Sequence, residues 1–427
     1  MQRKSGSKKA PVLSVLVIAI ATCAWAGPKY HVLYNFQGGK DGTFPIGALV
    51  SDAAGNLYGV TTGGGLGGNG GCGTIFELVR RNGGWVHKVL YRFPGKANEG
   101  CYPYANLESD GKGNLYGTTE SGGGQGNCSG ETCGTVFELA PVAGDKWKAT
   151  VLHRFAGGQD GAIPIAGVVL DKAGNVYGTT TDGGGTSCGC GTVFELTPMQ
   201  SGGWNEKIIH SFSGSDGANP FNVIFDGVGN LYGVGDSGGL YDVGVAFELS
   251  PSGGGTWNES VIYDFSSDGE FPLSGLTFNE HNLYGATAGG GAGNWGTVFE
   301  LKHESNGNWS HSVLYSFSGH KDGRTPLGSP VFDKSGNLYS STGGDVSCVH
   351  QNRWGCGNVF KLTHANGQWR ITVLHTFTGG DSGGGAFPSQ PMFGTRGHLY
   401  GVAYQGGDGQ CGGGEWSGCG VVFEITP

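Results

Sequence analysis

Apolar residues in this chain recur in short runs rather than at a helical period. The run Val32-Leu33-Tyr34-Asn35-Phe36 returns at 89–93, 151–155, 208–212, 261–265, 313–317 and 373–377, at intervals of 57, 62, 57, 53, 52 and 60 residues. β-branched and aromatic residues in five-residue runs between glycine-rich stretches predict strands. Each interval holds three more. The first is short and apolar, as in Ala48-Leu49-Val50, Gly167-Val168-Val169-Leu170 and Val223-Ile224-Phe225. A tight polar turn follows, as in Asp52-Ala53-Ala54-Gly55-Asn56-Leu57-Tyr58-Gly59. Asp52 and Asn56 are the residue types whose side chains close such turns. The turn opens into a second strand centred on Tyr58, Tyr116, Tyr177, Tyr232, Tyr284, Tyr339 or Tyr400. The third strand is Gly73-Thr74-Ile75-Phe76-Glu77-Leu78, with copies at 134–139, 191–196, 244–249, 296–301, 357–362 and 420–425. A turn carrying Trp85, Trp147, Trp204, Trp257, Trp309 or Trp369 leads back to the next Val-Leu-Tyr strand.

Self-similarity at such a period decides the architecture before local detail does. Four-stranded units of this size are propeller blades. The fold class is therefore all-β, a seven-bladed β-propeller, in one domain over residues 27–427. Apolar runs without clean alternation fit strands buried on both faces by neighbouring blades. The chain starts on a fourth strand, 32–36, and stops on a third, 420–425. Pairing the two completes the last blade and hides two open edges.

The motif Gly-Asn-Leu-Tyr-Gly-x-Thr, followed by Gly-[Thr/Asn]-Val-Phe-x-Leu, resembles the GloVer tandem repeat of secreted bacterial proteins. The likeness covers nearly everything after residue 26. That family is described by its repeat and its varied sorting tails rather than by an activity, so the resemblance implies a secreted propeller and no chemistry. The chain ends on Glu424-Ile425-Thr426-Pro427 without a hydrophobic tail, and free secretion is expected over surface anchoring.

Composition changes this picture in two ways. Glycine (89) and proline (16) together reach a level close to low complexity, but seven apolar sets argue against disorder. Residues 1–26 read as a signal peptide. Arg3, Lys4, Lys8 and Lys9 form its basic start, 12–21 its apolar run and Ala24-Trp25-Ala26 its cleavage site. Lipid attachment at Cys23 is the weaker alternative. The apolar run is too short to cross a bilayer, and no second hydrophobic segment follows. Without the signal the chain carries 21 basic and 34 acidic residues, a net charge of −13. That disfavours nucleic acid and anionic membrane. A secreted monomer, extracellular or periplasmic, with an extracellular glycan or protein as partner, is the expectation.

Second-to-third loops vary most in length, from the short 237–243 to the long 405–419. In a propeller they share a face with the fourth-to-first loops, and function tends to sit on variable loops of a rigid scaffold. Without Cys23 ten cysteines remain, an even number that favours disulfides in an exported chain. Cys128/Cys133, Cys348/Cys356 and Cys411/Cys419 each share one loop, and Cys72 pairs with Cys101 from the neighbouring loop of the same face. Cys188 and Cys190 are left over, as a strained bond across one residue or, less favoured, a metal or redox pair.

Asp41, Asp160, Asp216, Asp268 and Asp322 open an Asp-Gly-x-x-Pro motif in the fourth-to-first loops. As a ring of carboxylates they would collect calcium. As turn residues they would cap backbone amides, and their recurrence in most blades favours the turn. Trp295, Trp354 and Trp416, with Tyr241, stand in second-to-third loops outside the repeat pattern. They are candidates for stacking on sugar rings. The twelve histidines show no metal-ligand spacing. No phosphate loop is present, so no cofactor other than calcium is implied. The resulting expectation is a binding or scaffold module, with no catalytic residue assigned. The rival is a propeller hydrolase or lyase using acids near the channel mouth. Repeated acids argue against it, because catalysis needs an asymmetric pair.

Overall fold

The computed structural model describes residues 27–427 other than 82, 96–98, 125–127, 129–132, 345–355, 380–383, 410 and 412–417, together with all their side chains but those of 67–69. The predicted signal peptide lies outside the described residues. Among the described residues seven antiparallel sheets of four or five strands follow one another around a central channel, and a two-stranded ribbon, Gly100–Cys101 with Ser121–Gly122, extends the second. Blade 4 is representative: Ala218–Phe225 innermost, then Leu231–Ser237, Val245–Gly253 and Thr256–Asp264. In blades 6 and 7 the innermost strand is broken in two, Arg324–Pro326 with Val331–Phe332 and Ala386–Pro388 with Met392–Phe393. The first segment of the chain, Lys29–Asn35, pairs antiparallel with the last, Val421–Thr426, from Lys29↔Thr426 to Asn35↔Val421. Phe36 N adds a bond to Gly420 O at 3.0 Å. The ring closes as the mismatch of chain ends predicts.

The repeat signature is a set of contacts. Asp52 accepts from Asn56 N (2.9 Å), Asn56 Nδ2 (2.8 Å) and the Tyr58 hydroxyl (3.1 Å), and that hydroxyl also reaches Glu77 at 3.1 Å. The same turn-to-third-strand network recurs at Asp171, Asn175, Tyr177 and Glu195. The outer-strand Trp packs across the seam on the preceding blade's Tyr at four seams: Tyr58 with Trp147, Tyr400 with Trp85, Tyr177 with Trp257 and Tyr232 with Trp309. The Phe ending each fourth strand stands edge-on to the Phe of the next blade's third strand. These seven pairs run from Phe36–Phe76 at 5.2 Å to Phe377–Phe423 at 5.3 Å.

A glycine–proline lock also joins each blade to the next. The glycine opening a third strand has positive φ, and its missing Cβ leaves room for the following blade's proline. A Cβ on Gly191 would lie 2.6 Å from Pro220 Cδ, and one on Gly296 2.6 Å from Pro326 Cδ. The residue before each proline takes φ between 49° and 60°: Phe44, Tyr102, Ile163, Asn219, Phe271, Thr325 and Phe387. Positive φ is costly for a bulky residue, and proline normally drives its predecessor to extended backbone. An inter-blade hydrogen bond holds each one. Its N–H donates to the carbonyl just before the preceding blade's glycine, as in Ile163 N to Cys133 O (3.0 Å) and Thr325 N to Trp295 O (2.9 Å).

Candidate ligand-binding site

The innermost strands line the channel, and a waist of small and amide side chains divides it. Asn106, Gly167, Asn222, Gly275, Ser329 and Gln390 border both halves. Asn106 Oδ1 accepts from Ala48 N at 2.5 Å and Asn222 Oδ1 from Gly167 N at 2.8 Å, so each amide is braced on the preceding blade. The upper half, about 640 Å³, opens among the variable loops. One residue after each proline forms its collar: Ile46, Tyr104, Ile165, Phe221, Leu273 and Leu327, with Ser389 in the seventh place.

Blade 7 makes this collar asymmetric. Tyr404 stacks on Phe44 with centroids 5.1 Å apart, and its hydroxyl comes close to that of Tyr104. Burial, then the Tyr404 hydroxyl and Glu120, pushes the Tyr104 hydroxyl up to about 12. Gln405 Oε1 is buried in the same wall without a hydrogen-bond partner. Among the described lining residues of this upper half there is no carboxylate, imidazole, ammonium or guanidinium group. Among its described lining residues the lower half, about 400 Å³, holds one ionisable side chain, Glu108, beside residues such as Val50, Val169 and Phe278. Burial pushes its carboxyl up to about 7.

The aspartates of the sequence motif stand elsewhere, at the seams between outer strands. Asp41 accepts from Gln37 N (2.8 Å) and the Tyr34 hydroxyl (2.8 Å) and pairs with His87 Nδ1 at 3.1 Å. Burial acts to raise its carboxyl, but these partners outweigh burial and hold it below the usual range. Asp268 meets Tyr263 and His311 in the same way, and Asp322 meets Tyr315 and Ser318 N. Asp160 and Asp216 have different company. Their neighbours are His153 with Glu206, and His210 with Glu259. Burial is the main cause that pushes each of these glutamates up to about 7. Sequence spacing missed both clusters, because each draws on two adjacent blades. The legible signal was a repeat column: two residues after the Trp, Glu206 and Glu259 stand where other blades carry His87, Ala149, His311, Ile371 and Tyr30.

Disulfides close Cys72–Cys101, Cys128–Cys133 and Cys411–Cys419, as expected, and also Cys188–Cys190. Cys356 is disulfide-bonded, and Cys348, its expected partner, lies outside the described residues. The carbonyls of Cys72, Cys133, Cys190, Cys356 and Cys419 all accept the inter-blade bond before a glycine. Val243 and Trp295 hold that place in blades 4 and 5, whose loops are short. Trp295 thus serves the lock. Its indole packs on Gly319, with the Arg324 guanidinium 5.4 Å from the ring centre, and the residue is 39% exposed. Tyr241 is 58% exposed on the same face. Trp354 and Trp416 lie outside the described residues.

The Gloeobacter/Verrucomicrobia repeat model matches residues 19–190 and 125–349. The chain belongs to this family. Comparison with curated proteins finds no match. Among solved structures, this repeat protein is similar to the periplasmic gluconolactonase of Pseudomonas aeruginosa, with 15% identity over 79% of this chain and 85% of that one at a TM-score of 0.50. Pseudomonas fluorescens PhoX, solved with vanadate, matches at 11% identity over 94% and 95% with a TM-score of 0.47. A luciferin-regenerating enzyme matches at 13% over 94% and 96% with a TM-score of 0.46. At these identities the likeness concerns the fold of the repeat protein alone.

Proposed function

We propose that this repeat protein is a secreted binding module whose channel mouth takes an uncharged saccharide end of an extracellular glycan. The lining of the mouth carries the reading: aromatic and aliphatic walls, side-chain amides and hydroxyls, and no charged group among the described residues. Sugar rings offer C–H faces to aromatics and hydroxyls to amides. A buried Gln405 Oε1 without a donor is costly, and a sugar hydroxyl supplies one. The volume falls within the range of about 300–1,000 Å³ usual for small-ligand sites. Tyr241, on the same face, would stack on a longer chain. The disulfides fit an oxidising compartment outside the cytoplasm.

The test is titration of neutral mono- and oligosaccharides by calorimetry and intrinsic fluorescence. Tyr404→Ala should weaken binding about fivefold, from the loss of roughly 1 kcal/mol of stacking. A Tyr104→Ala/Tyr404→Ala protein that binds each sugar as the wild type does would remove the mouth as the site. Release of reducing ends during titration would replace the module with a hydrolase.

A further inference from the structure

We propose that the seams between blades 2 and 3 and between blades 3 and 4 are two divalent-metal sites for an ion of the zinc class. One is made by His153, Asp160 and Glu206, the other by His210, Asp216 and Glu259. In each set one ligand atom per residue converges, all within 4.8 Å of one another. His153 Nε2 stands 3.0 Å from Asp160 Oδ1, and His210 Nε2 3.1 Å from Asp216 Oδ2. Bonds of about 2.0–2.2 Å place the donors of a tetrahedral ion roughly 3.3 Å apart, so a small swing of the glutamate completes each set.

The sibling seams show what the fold alone requires. Around Asp41 and Asp268 a tyrosine hydroxyl and an imidazole both face the carboxylate, so one anion meets two donors. At the two proposed sites histidine replaces that tyrosine and glutamate replaces that histidine. Two carboxylates then share one imidazole. Glu206 Oε1 and Glu259 Oε1 are buried and have no hydrogen-bond partner. Buried carboxylate oxygens need a counter-charge or a donor. Folding does not demand glutamate here, since Ala149 and Ile371 fill the same column.

Each aspartate is also pre-set. Asp160 Oδ2 accepts from Ala156 N at 2.6 Å and Asp216 Oδ1 from Ser213 N at 2.8 Å, which turns the other oxygen toward the site. The imidazole favours a zinc-class ion over calcium, which collects six to eight oxygens. Partial exposure of His153 (19%) and Asp160 (24%) gives the ion a path from the rim.

The experiment is Co²⁺ and Zn²⁺ titration of the chelator-stripped, disulfide-intact chain, followed by visible absorption, calorimetry and thermal melting. The wild type should bind two ions and melt higher with Zn²⁺. Glu206→Gln and Glu259→Gln should each leave one ion, and the double variant none, with the Zn²⁺ shift in melting lost. His87→Ala, at a donor-rich seam, should keep both ions. Should the glutamine variants fold poorly, His153→Gln with His210→Gln repeats the test on the other ligand. A wild type without Co²⁺ absorption or melting shift, a double variant that keeps two ions, or a response to Ca²⁺ alone would overturn the proposal.

Discussion

Adding one methyl group at Gly191 tests the lock that joins blade 3 to blade 4. Gly191 has φ 96°, and a Cβ there would lie 2.3 Å from Thr180 O and 2.6 Å from Pro220 Cδ. Left-handed backbone costs alanine about 1–2 kcal/mol. Forcing a methyl against a carbonyl and a proline ring adds about 1–3 kcal/mol, as overpacking generally does. Gly191→Ala should therefore destabilise by about 2–5 kcal/mol. Gly174→Ala is the internal control: φ is 87°, and nothing lies within 4 Å of the added carbon. It should cost only the backbone term, about 1–2 kcal/mol. Equilibrium urea unfolding of the oxidised protein, followed by tryptophan fluorescence, gives both values. A Gly191→Ala/Pro220→Ala protein should recover about 1 kcal/mol, because the smaller side chain vacates the contact. If Gly191→Ala is no worse than Gly174→Ala, or the double variant shows no coupling, the glycine does not make room for the proline and the lock is wrong.

Two further perturbations follow from the same structure. Deleting residues 27–36 uncovers the edge of Val421–Thr426 and removes Phe36 from Phe76, so cooperative unfolding should be lost. An unchanged urea midpoint in the deletion would disprove closure by this strand. For Glu108 the folded-state carboxyl titrates at about 7, above its ordinary 4.5. A raised value means that stability is full below about pH 4.5 and falls as pH rises through 7. Glu108→Gln should flatten that slope and stabilise the protein at pH 8 by about 1–3 kcal/mol, discounted for partial solvent contact. Parallel pH profiles for variant and wild type would show that Glu108 is not buried as described.

Repetition makes much of this molecule legible in its sequence. Seven copies of one turn-strand unit specify strand type, order and number, because Asp52, Asn56, Tyr58 and Glu77 close their network within about 25 residues and blades 2 to 4 repeat its residues, while blades 5 to 7 keep the turn and its Tyr. Closure followed from the unmatched ends. Three disulfide pairs followed from loops that share a face. The turn role of the Asp-Gly-x-x-Pro aspartates was also within reach, since Asp41 caps an amide four residues away.

The candidate sites were not legible in the same way. The collar of the mouth takes one residue from each blade, and only closure of the ring brings Tyr104, Phe44 and Tyr404 together. The sequence by itself determined what each blade is, because blade-internal contacts are short-range and are written out seven times. The tertiary structure alone decided which side chains meet at the outer seams between blades. There, columns from two adjacent repeats meet edge to edge, so His153 finds Glu206 and His210 finds Glu259 across more than 45 residues of chain. No spacing rule along one strand encodes such a meeting. It depends on the packing angle and register of whole sheets, which arise only when the propeller is closed.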